Sequence, residues 1–322
     1  MQAKFRVKRF SPEADNRSWW QEYDLSVPEG ATVLEGLIKI KEEQDGTLAF
    51  RRACRSAICG SCAVRINGRA KLACKTQIRS QLKRDGVLTI EPLQNMAVIK
   101  DLVVDMEPFW QRLERVQPWL TPAVFNPDPD REFIQHKEEV DRYKGAATCI
   151  MCANCYSDCT VLEVDENFLG PAALAKSFRF AADTRDGIAR RRLRGDSDEA
   201  GIWKCVRCEA CVEACPKDVS PMDRIVALRS AAIAEDFTDN DGARHAEYFL
   251  RSTRATGRLN ETLLPLATAG YSPNRILGMA PTGIRLALKG KLPFPIQRPI
   301  PGIDEIRRIM ELVEQEPEVE SK

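Results

Sequence analysis

The sequence lacks the features of a membrane-spanning, secreted or nucleic-acid-binding protein. No stretch approaches the roughly 18 consecutive apolar residues of a transmembrane helix, and the first residues form neither a signal peptide nor a transit segment. The 48 lysines and arginines nearly balance the 47 aspartates and glutamates, so the net charge of +1 gives no reason to expect nucleic acid or a polybasic membrane patch. We therefore expect a cytoplasmic protein that reaches a membrane only where a partner holds it there.

The sequence also offers few residues for acid–base or nucleophilic catalysis. Only two histidines are present, His136 and His245, and neither lies in a ligand motif, so we expect structural or surface roles for both. No G-x-G-x-x-G or Walker sequence provides a site for a flavin or a nucleotide. Substrate chemistry is therefore expected on another polypeptide, and no flavin is expected on this one.

Cysteine, in contrast, is frequent and strongly clustered. All 12 cysteines fall into three tight groups, and none is left over. A cytosolic protein of this size does not need that many disulfides, and its compartment keeps thiols reduced. The clustered thiols are therefore interpreted as metal ligands.

The first group has the spacing C-x4-C-x2-C, with a fourth cysteine after eleven further residues. This is the spacing of plant-type ferredoxins, which bind a 2Fe–2S cluster. Gly60 allows the loop to curl and to point its amides at the sulfurs, and Asn67-Gly68 predicts a hairpin turn before the last ligand. The predicted 2Fe–2S ligands are Cys54, Cys59, Cys62 and Cys74.

The second and third groups both have the spacing C-x2-C-x2-C-x3-C, and Pro216 follows the third. In ferredoxins with two clusters, the fourth cysteine of each run binds the other cluster. One 4Fe–4S cluster is therefore assigned to Cys149, Cys152, Cys155 and Cys215, and the other to Cys159, Cys205, Cys208 and Cys211. Structural zinc is the alternative for these thiols, although the doubled motif is far more typical of iron–sulfur proteins.

The remaining patterns predict an α+β fold in three parts. Alternating residues predict strands near 4–10, 19–27 and 87–90, and Thr32 with Glu35 predicts a capped helix. The predicted apolar face of that helix is Val33, Leu34, Leu37, Ile38 and Lys41. This order of elements is that of a ubiquitin-like β-grasp domain, assigned to residues 1–105.

From about residue 101 the spacing becomes helical, with Leu102, Val103, Met106, Phe109, Trp110 and Leu113 on a predicted helix. Proline-rich turns predict a linker at Asn126–Asp130. We assign residues 106–235 to a helical ferredoxin-like domain with two clusters, and 236–322 to a helical extension that docks a partner. The arginines between the second and third groups, which include Arg192, offset cluster charge, dock onto acidic partner surfaces or form a solvated face.

Several segments together resemble the iron–sulfur subunit of the succinate dehydrogenase/fumarate reductase family. The resemblance covers about residues 1–235 and rests on Cys54–Cys62, Val98–Met106, Leu169–Ala172, Arg179–Phe180, Asp183–Asp186 and both later cysteine runs. It implies an FAD-containing flavoprotein partner that interconverts succinate and fumarate, and a quinone-side anchor subunit at the distal cluster. It also implies a peripheral position on the inner face of the cell membrane.

Two departures from the common family pattern carry further expectations. Common members have another residue at the position of Cys208, which leaves a 3Fe–4S cluster, whereas Cys208 predicts a second 4Fe–4S cluster here, with 3Fe–4S as the less favoured option. Thr160–Val164 and Val206 replace residues that usually build the quinone pocket. Both departures, and the long tail, resemble the branch whose anchor subunit is similar to a heterodisulfide-reductase subunit.

Two other functions remain as alternatives at this point. The chain could be an electron carrier of a heterodisulfide-reductase-like or glycolate-oxidase-like complex, although the N-terminal 2Fe–2S pattern argues against this. The third hypothesis is a scaffold protein that is stabilised by structural zinc and has no redox role. Colour would distinguish it, because an iron–sulfur protein is brown and a zinc protein is colourless.

Overall fold

A computed structural model describes residues 1–13, 17–122, 132–198, 200–294 and 296–315. The chain divides into two compact units, Met1–Asp196 with Ala200–Leu228, and Ser197–Glu199 with Arg229–Lys322. The predicted linker at Asn126–Asp130 lies outside the described residues.

The first unit begins with a five-stranded mixed sheet. Its strands are β1 (Gln2–Phe10), β2 (Ser18–Ser26), β3 (Ala63–Ile66), β4 (Arg69–Leu72) and β5 (Val87–Glu91). Their order is β2-β1-β5-β3-β4, with β1 parallel to β5 and the other pairs antiparallel. Ala3, Phe5 and Val7 alternate into the core on β1. The predicted strands and the β-grasp arrangement are confirmed.

The helix α1 (Val33–Glu43) packs on this sheet. Thr32 and Glu35 form the predicted capping box, in which the Thr32 amide donates to Glu35 and the Glu35 amide donates to Thr32 Oγ1. The predicted face was partly wrong, because Ile40 is fully buried while Ile38 and Lys41 are half-buried. The physical reason is Gly36, where a Cβ atom would lie only 2.5 Å from the Phe5 ring, so the helix turns this side to the sheet.

The segment after the sheet corrects the predicted start of the helical region. Residues around 98–104 form a hairpin of β6 (Val98–Lys100) and β7 (Val103–Val104), and helix α3 (Glu107–Arg115) begins later than predicted. Leu102, Val103 and Met106 therefore do not lie on a helix. The cause is Asp101, at φ 48°, whose buried carboxylate accepts hydrogen bonds from Arg9 Nε at 2.8 Å and the Ala49 amide at 2.8 Å.

The rest of the first unit is helical, as predicted. Among the described residues after Val104 there are helices, turns and one isolated bridge, but no strand. The short helix before β5 is α2 (Ile78–Gln81), and the later ones are α4 (Lys137–Asp141), α5 (Lys144–Ala147), α6 (Asn154–Ser157), α7 (Thr160–Val164), α8 (Pro171–Ala181), α9 (Ala189–Asp196), a 3-10 turn (Ile202–Lys204), α10 (Ala210–Glu213) and α11 (Pro221–Ala234).

Buried ion pairs hold these helices to their connecting turns. Arg192 on α9 donates to both carboxylate oxygens of Asp186, at 2.9 and 3.0 Å, and both side chains are almost fully buried. Asp183 accepts from Arg179 at 2.7 Å and from Arg185 at 2.8 Å. Burial alone would raise the pKa of Asp183, but the arginine hydrogen bonds outweigh it and hold the pKa well below its ordinary value.

In the described part of the second unit, four further helices follow the end of α11. They are α12 (Asp241–Thr256), α13 (Leu264–Thr268), α14 (Pro273–Leu288) and α15 (Ile303–Gln315). Asn240 caps α12 by accepting from the Ala243 amide at 2.9 Å, and Gly257 ends it with a positive φ. Across the described residues, no helix combines the length and apolar character needed to cross a bilayer.

Candidate iron–sulfur cluster sites

The first cysteine loop brings the four predicted 2Fe–2S ligands together through backbone amides. The Ser56, Ile58 and Cys59 amides lie 3.3 to 3.4 Å from Cys54 Sγ. The Ala57 amide lies 3.3 Å from Cys74 Sγ, and the Cys74 amide lies 3.5 Å from Cys62 Sγ. Amides pointed at the sulfurs are what a bound anionic cluster requires, since they stabilise charge on sulfur.

The thiols of this loop lie in contrasting environments. Hydrogen bonds from the amides of Ser56, Cys59 and Ile58 lower the pKa of the exposed Cys54 to about 6. Burial raises the pKa of Cys62 to about 12. An iron-bound thiol is deprotonated outright, so bound iron would replace the proton on the buried ligand.

A second set of thiols lines a pocket beside α6 and α8. Cys149, Cys152, Cys155 and Cys215 all contribute to its wall. Its other walls are mostly apolar or aliphatic and include Ala153, Ala172, Ala175, Val219 and Pro221. The fourth thiol of the set comes from the distant third cysteine run and accepts a hydrogen bond from the Val219 amide at 3.4 Å. Four cysteines on the wall of one apolar pocket fit a cubane cluster.

Burial and neighbouring thiols of both later runs raise the pKa values of the cysteines in this set. Burial first, and then the charges of Cys152, Cys149, Cys211 and Cys215, raise the pKa of Cys155 well above its ordinary value. The pKa of Cys152 rises to about 11, mainly through burial and then through Cys149 and Cys215. Cationic iron is the natural partner for such a group of thiolates.

The remaining four thiols form the third set. Burial raises the pKa of Cys211 to about 12, and the next contributions come from Cys205, Cys159 and Cys208. Burial also raises the pKa of Cys159, with Cys205 and Cys208 again contributing, while the amides of Leu162 and Val161 oppose the shift. Thr160 Oγ1 lies 3.5 Å from Cys208 Sγ. The assignment of these eight cysteines to two ligand sets stays a prediction, because the charge of Cys211 in the third set also acts on Cys155 in the second.

The two later runs share an uncommon backbone conformation. Met151 and Ala153, on either side of Cys152, have φ of 54° and 62°. Arg207 and Glu209, on either side of Cys208, have φ of 56° and 62°. Left-handed residues that are not glycine are uncommon, so their matched positions mark the same loop built twice.

The first loop packs directly on the second. At Gly60, which has φ +74°, a Cβ atom would lie 2.8 Å from Cys152 Cβ and 3.3 Å from the Ile150 carbonyl oxygen. Ala70 and Arg65 on the sheet contact Asp158, and the Asn95 side chain donates to the Tyr156, Ser157 and Cys159 carbonyls. This close approach holds the 2Fe–2S loop beside the first 4Fe–4S loop, and spacing alone does not reveal it.

The two histidines lie away from the cysteine groups, and each has a local partner. The His136 amide donates to Glu139 at 2.7 Å at the start of α4. His245 Nδ1 lies 3.3 Å from Thr268 Oγ1 in the second unit. These contacts suit the structural roles expected from the sequence.

Comparisons with known proteins agree with this geometry. Residues 4–111 match the family of 2Fe-2S iron-sulfur cluster binding domains, and residues 145–219 match the 4Fe-4S dicluster domain. The chain is 41% identical over 226 residues to the fumarate reductase iron-sulfur subunit of Mycobacterium tuberculosis, covering 70% of this chain and 91% of that one.

The chain belongs to the succinate dehydrogenase/fumarate reductase iron–sulfur subunit family. Two further relatives extend the comparison. The mitochondrial succinate dehydrogenase iron-sulfur subunit 1 of Oryza sativa is 39% identical over 228 residues, covering 70% of this chain and 80% of that one. The 8-methylmenaquinol:fumarate reductase iron-sulfur subunit of Wolinella succinogenes is 35% identical over 289 residues, covering 88% of this chain and 89% of that one.

A solved structure supports the same assignment. A chain of the Mycobacterium smegmatis Sdh1 complex in the apo form superposes with a TM-score of 0.65 at 29% identity, covering 74% of this chain and 98% of that one. This member of the family is therefore an electron-transfer subunit of an enzyme complex, with 2Fe–2S and 4Fe–4S domains. Family membership also decides against the zinc scaffold and the other electron carriers considered above.

Proposed function

We propose that this subunit passes electrons between a FAD-containing flavoprotein, which interconverts succinate and fumarate, and a quinone-side anchor subunit. The observation that carries the proposal is that a 2Fe-2S domain and a 4Fe-4S dicluster domain together contain all 12 cysteines, within one compact unit. Relatives named for succinate dehydrogenase and fumarate reductase support the substrate assignment. The protein's own contribution is the spacing of the clusters and the tuning of their potentials by amides, charge and burial.

The proposed ligand sets follow the three groups described above. Cys54, Cys59, Cys62 and Cys74 hold the 2Fe–2S cluster at the flavoprotein side. Cys149, Cys152, Cys155 and Cys215 hold the first 4Fe–4S cluster, and Cys159, Cys205, Cys208 and Cys211 hold the third cluster. The contact of Gly60 with Cys152 supports an electron path from the first cluster to the second.

We assign a second 4Fe–4S cluster, rather than 3Fe–4S, to the third set. The left-handed residues around Cys208 repeat those around Cys152, so the backbone on both sides of the two cysteines has the same conformation. The proximity of Cys208 to Cys159 and Cys211, expressed in the pKa of both, supports four thiolates on one cluster. A fourth iron would lower the potential of this site relative to a three-iron cluster.

The anchor is proposed to be similar to a heterodisulfide-reductase subunit. Thr160–Val164 forms a short helix beside the third set, and Val206 is largely exposed there, in place of the usual quinone-pocket residues. The alignment with the Wolinella succinogenes relative extends over 289 residues, against 226 for the Mycobacterium tuberculosis relative. A shared C-terminal segment of this length supports a role in docking the anchor, which would hold the subunit on the inner face of the cell membrane.

EPR spectroscopy of the anaerobically purified complex tests the proposal. The oxidised protein should lack a three-iron signal, and the reduced protein should show one 2Fe–2S and two interacting 4Fe–4S centres. Cys208→Ala should create the three-iron signal, whereas Val206→Ala, a matched change in the same loop, should not. A strong three-iron signal in unmodified protein kept from oxygen would exclude Cys208 as a ligand.

Electron transfer is tested separately from cluster type. Succinate added to the complex should reduce the 2Fe–2S centre when the flavoprotein is present and should not when it is absent. Failure of succinate to reduce any centre would overturn the substrate assignment while leaving the cluster assignment intact.

A further inference from the structure

Helix α14 in the second unit is unusual because it buries none of its residues. Three large apolar side chains on it are open to solvent, with Leu277 at 70%, Ile284 at 60% and Leu288 at 84% exposure. They are spaced by seven and four residues, so they lie along one side of the helix. Beyond the helix, Phe294 and Ile296 are 72% and 74% exposed.

Basic residues lie to one side of the apolar row. Arg285 on α14 and Lys289 at its C-cap are four residues apart and flank the row on the same side. Arg275 occupies the same side but is paired with Asp241 on α12, which ties the start of α14 to its own unit. The side chains of Ile276 and Met279 are half-buried. This edge of the helix therefore packs on the unit, and the apolar row faces solvent.

The sequence around α14 carries charge of one sign, which is positive. Between Glu261 and Asp304 there is no acidic residue, whereas five basic residues occur, namely Arg275, Arg285, Lys289, Lys291 and Arg298. The net charge of +1 for the whole chain conceals this local excess. The adjacent helix α15 differs, because its exposed Ile309, Leu312 and Val313 stand in a sequence that carries Asp304, Glu305 and Glu311.

We propose that α14, Phe294 and Ile296 lie in the surface of an anionic lipid bilayer, so that this subunit contacts the membrane directly as well as through its partners. A helix with an apolar row and a basic polar face suits the boundary between headgroups and acyl chains. Arg285 and Lys289 extend to the anionic headgroups while their aliphatic stems cover apolar surface. The 16 residues of α14 give a length of about 24 Å, laid flat in the plane of the membrane.

Flotation of the purified full chain, with its clusters and without partner subunits, tests this proposal. Vesicles of phosphatidylglycerol and phosphatidylcholine in equal parts are compared with vesicles of phosphatidylcholine alone. The chain should float with the anionic vesicles and bind the neutral ones much more weakly, and added salt should weaken anionic binding. Absence of flotation with anionic vesicles would overturn the proposal.

Two variants and a matched control locate the contact. I284D/L288D should weaken anionic binding at least about tenfold, and R285Q/K289Q should weaken it by about fivefold for each residue removed. I309D/L312D, an equivalent change on α15, should bind as the unmodified chain does. The substituted residues are exposed and lie in the second unit, so an unchanged far-ultraviolet circular dichroism spectrum verifies that the helices of that unit are folded in each variant.

The alternative occupant of α14 is a protein. If I284D/L288D floated as well as the unmodified chain, or if flotation required the anchor subunit in the vesicles, a protein surface would cover this helix and the lipid proposal would be wrong. Loss of flotation in I309D/L312D alone would likewise overturn it. None of these outcomes depends on the succinate-reduction test, so the two proposals fail separately.

Discussion

At the scale of single residues, the 2Fe–2S loop places chemically identical thiols in opposite environments. Cys54 is exposed and surrounded by amides, whereas Cys62 is buried behind β3 and β4. The β-grasp sheet and α1 have their own apolar core, so this contrast does not depend on bound iron.

We predict that Cys54 is alkylated before Cys62 in the cluster-free chain. Near neutral pH Cys54 is mostly thiolate because its pKa is about 6, while Cys62, with a pKa of about 12, is protonated. Anaerobic iodoacetamide treatment with peptide mapping measures both rates, and lowering the pH below about 6 should slow Cys54. Equal rates for the two thiols would show that the amides do not act on Cys54.

Asp101 is the residue that fixes the turn between β6 and β7. Asp101 is 1% exposed, and its carboxylate accepts hydrogen bonds from Arg9 Nε and from the amides of Phe10 and Ala49. Asp101→Ala leaves a buried guanidinium with one acidic partner fewer and should cost about 3–5 kcal/mol of unfolding free energy. Urea titration of the 2Fe–2S visible circular dichroism measures this loss.

Glu22→Gln is the control for that variant. Glu22 pairs with Lys4 at 3.3 Å on the exposed side of the sheet, where both side chains are largely in water. Its loss should cost less than about 1 kcal/mol. A similar small effect for Asp101→Ala would mean that Asp45, the other acidic partner of Arg9, suffices to hold the turn.

At the scale of elements, the cysteine loops depend on left-handed residues more than on glycine. Arg55 and Ala57 have φ of 57° and 53°, so the first loop also adopts this conformation without glycine. Gly60 is required for a second reason, the close approach of Cys152. The loop therefore needs glycine where two loops meet, and tolerates strain elsewhere.

Gly60→Ala should disturb the contact between the first two clusters. The added Cβ meets Cys152 Cβ at 2.8 Å, in addition to the roughly 1–2 kcal/mol cost of a left-handed alanine. We expect loss or broadening of the EPR signals of both the 2Fe–2S centre and the adjacent 4Fe–4S centre.

Gly68→Ala separates strain from the clash. Gly68 has φ +81° in the hairpin turn between β3 and β4, and no atom lies within 4 Å of an added Cβ. This variant should lose stability by the strain alone and keep both EPR signals. If it lost them as Gly60→Ala does, backbone strain and not the loop contact would explain the effect.

At the scale of the whole molecule, the proposed ligand sets join the two later cysteine runs by exchanging their last ligands. Cys215 faces the pocket of the second run, and Cys159 couples to the thiols of the third. In the proposed ligand sets each cluster therefore ties together segments about 50 residues apart in the chain, and metal binding contributes directly to folding.

Cys215→Ser should therefore affect more than the one cluster that loses a ligand. We expect loss of one 4Fe–4S cluster, partial loss of the other, and reduced helical circular dichroism, because the pocket is held from both runs. Cys74→Ser, the matched change in the first group, should remove only the iron of the 2Fe–2S centre. Iron analysis with EPR distinguishes the two; equal and local iron loss in both variants would contradict the exchange of ligands.

The sequence by itself determined the cysteine groups, the β-grasp strands, the capping box of α1 and the Asn67-Gly68 turn, since each depends on local spacing and periodicity. The same local signals extended the helical pattern to Leu102, where a hairpin forms instead. These local signals did not decide the role of Arg192. In the structure its side chain is buried against Asp186.

Tertiary structure alone decided the features that depend on distant partners. Asp101 and Arg9 are separated by 92 residues, and Gly60 meets Cys152 across the junction of two loops. Neither contact leaves a periodic signal, because a buried carboxylate or a close backbone approach is defined by the residues packed against it. The sequence specified which residues could bind the clusters, and the packing of the loops specified how near those residues come to one another.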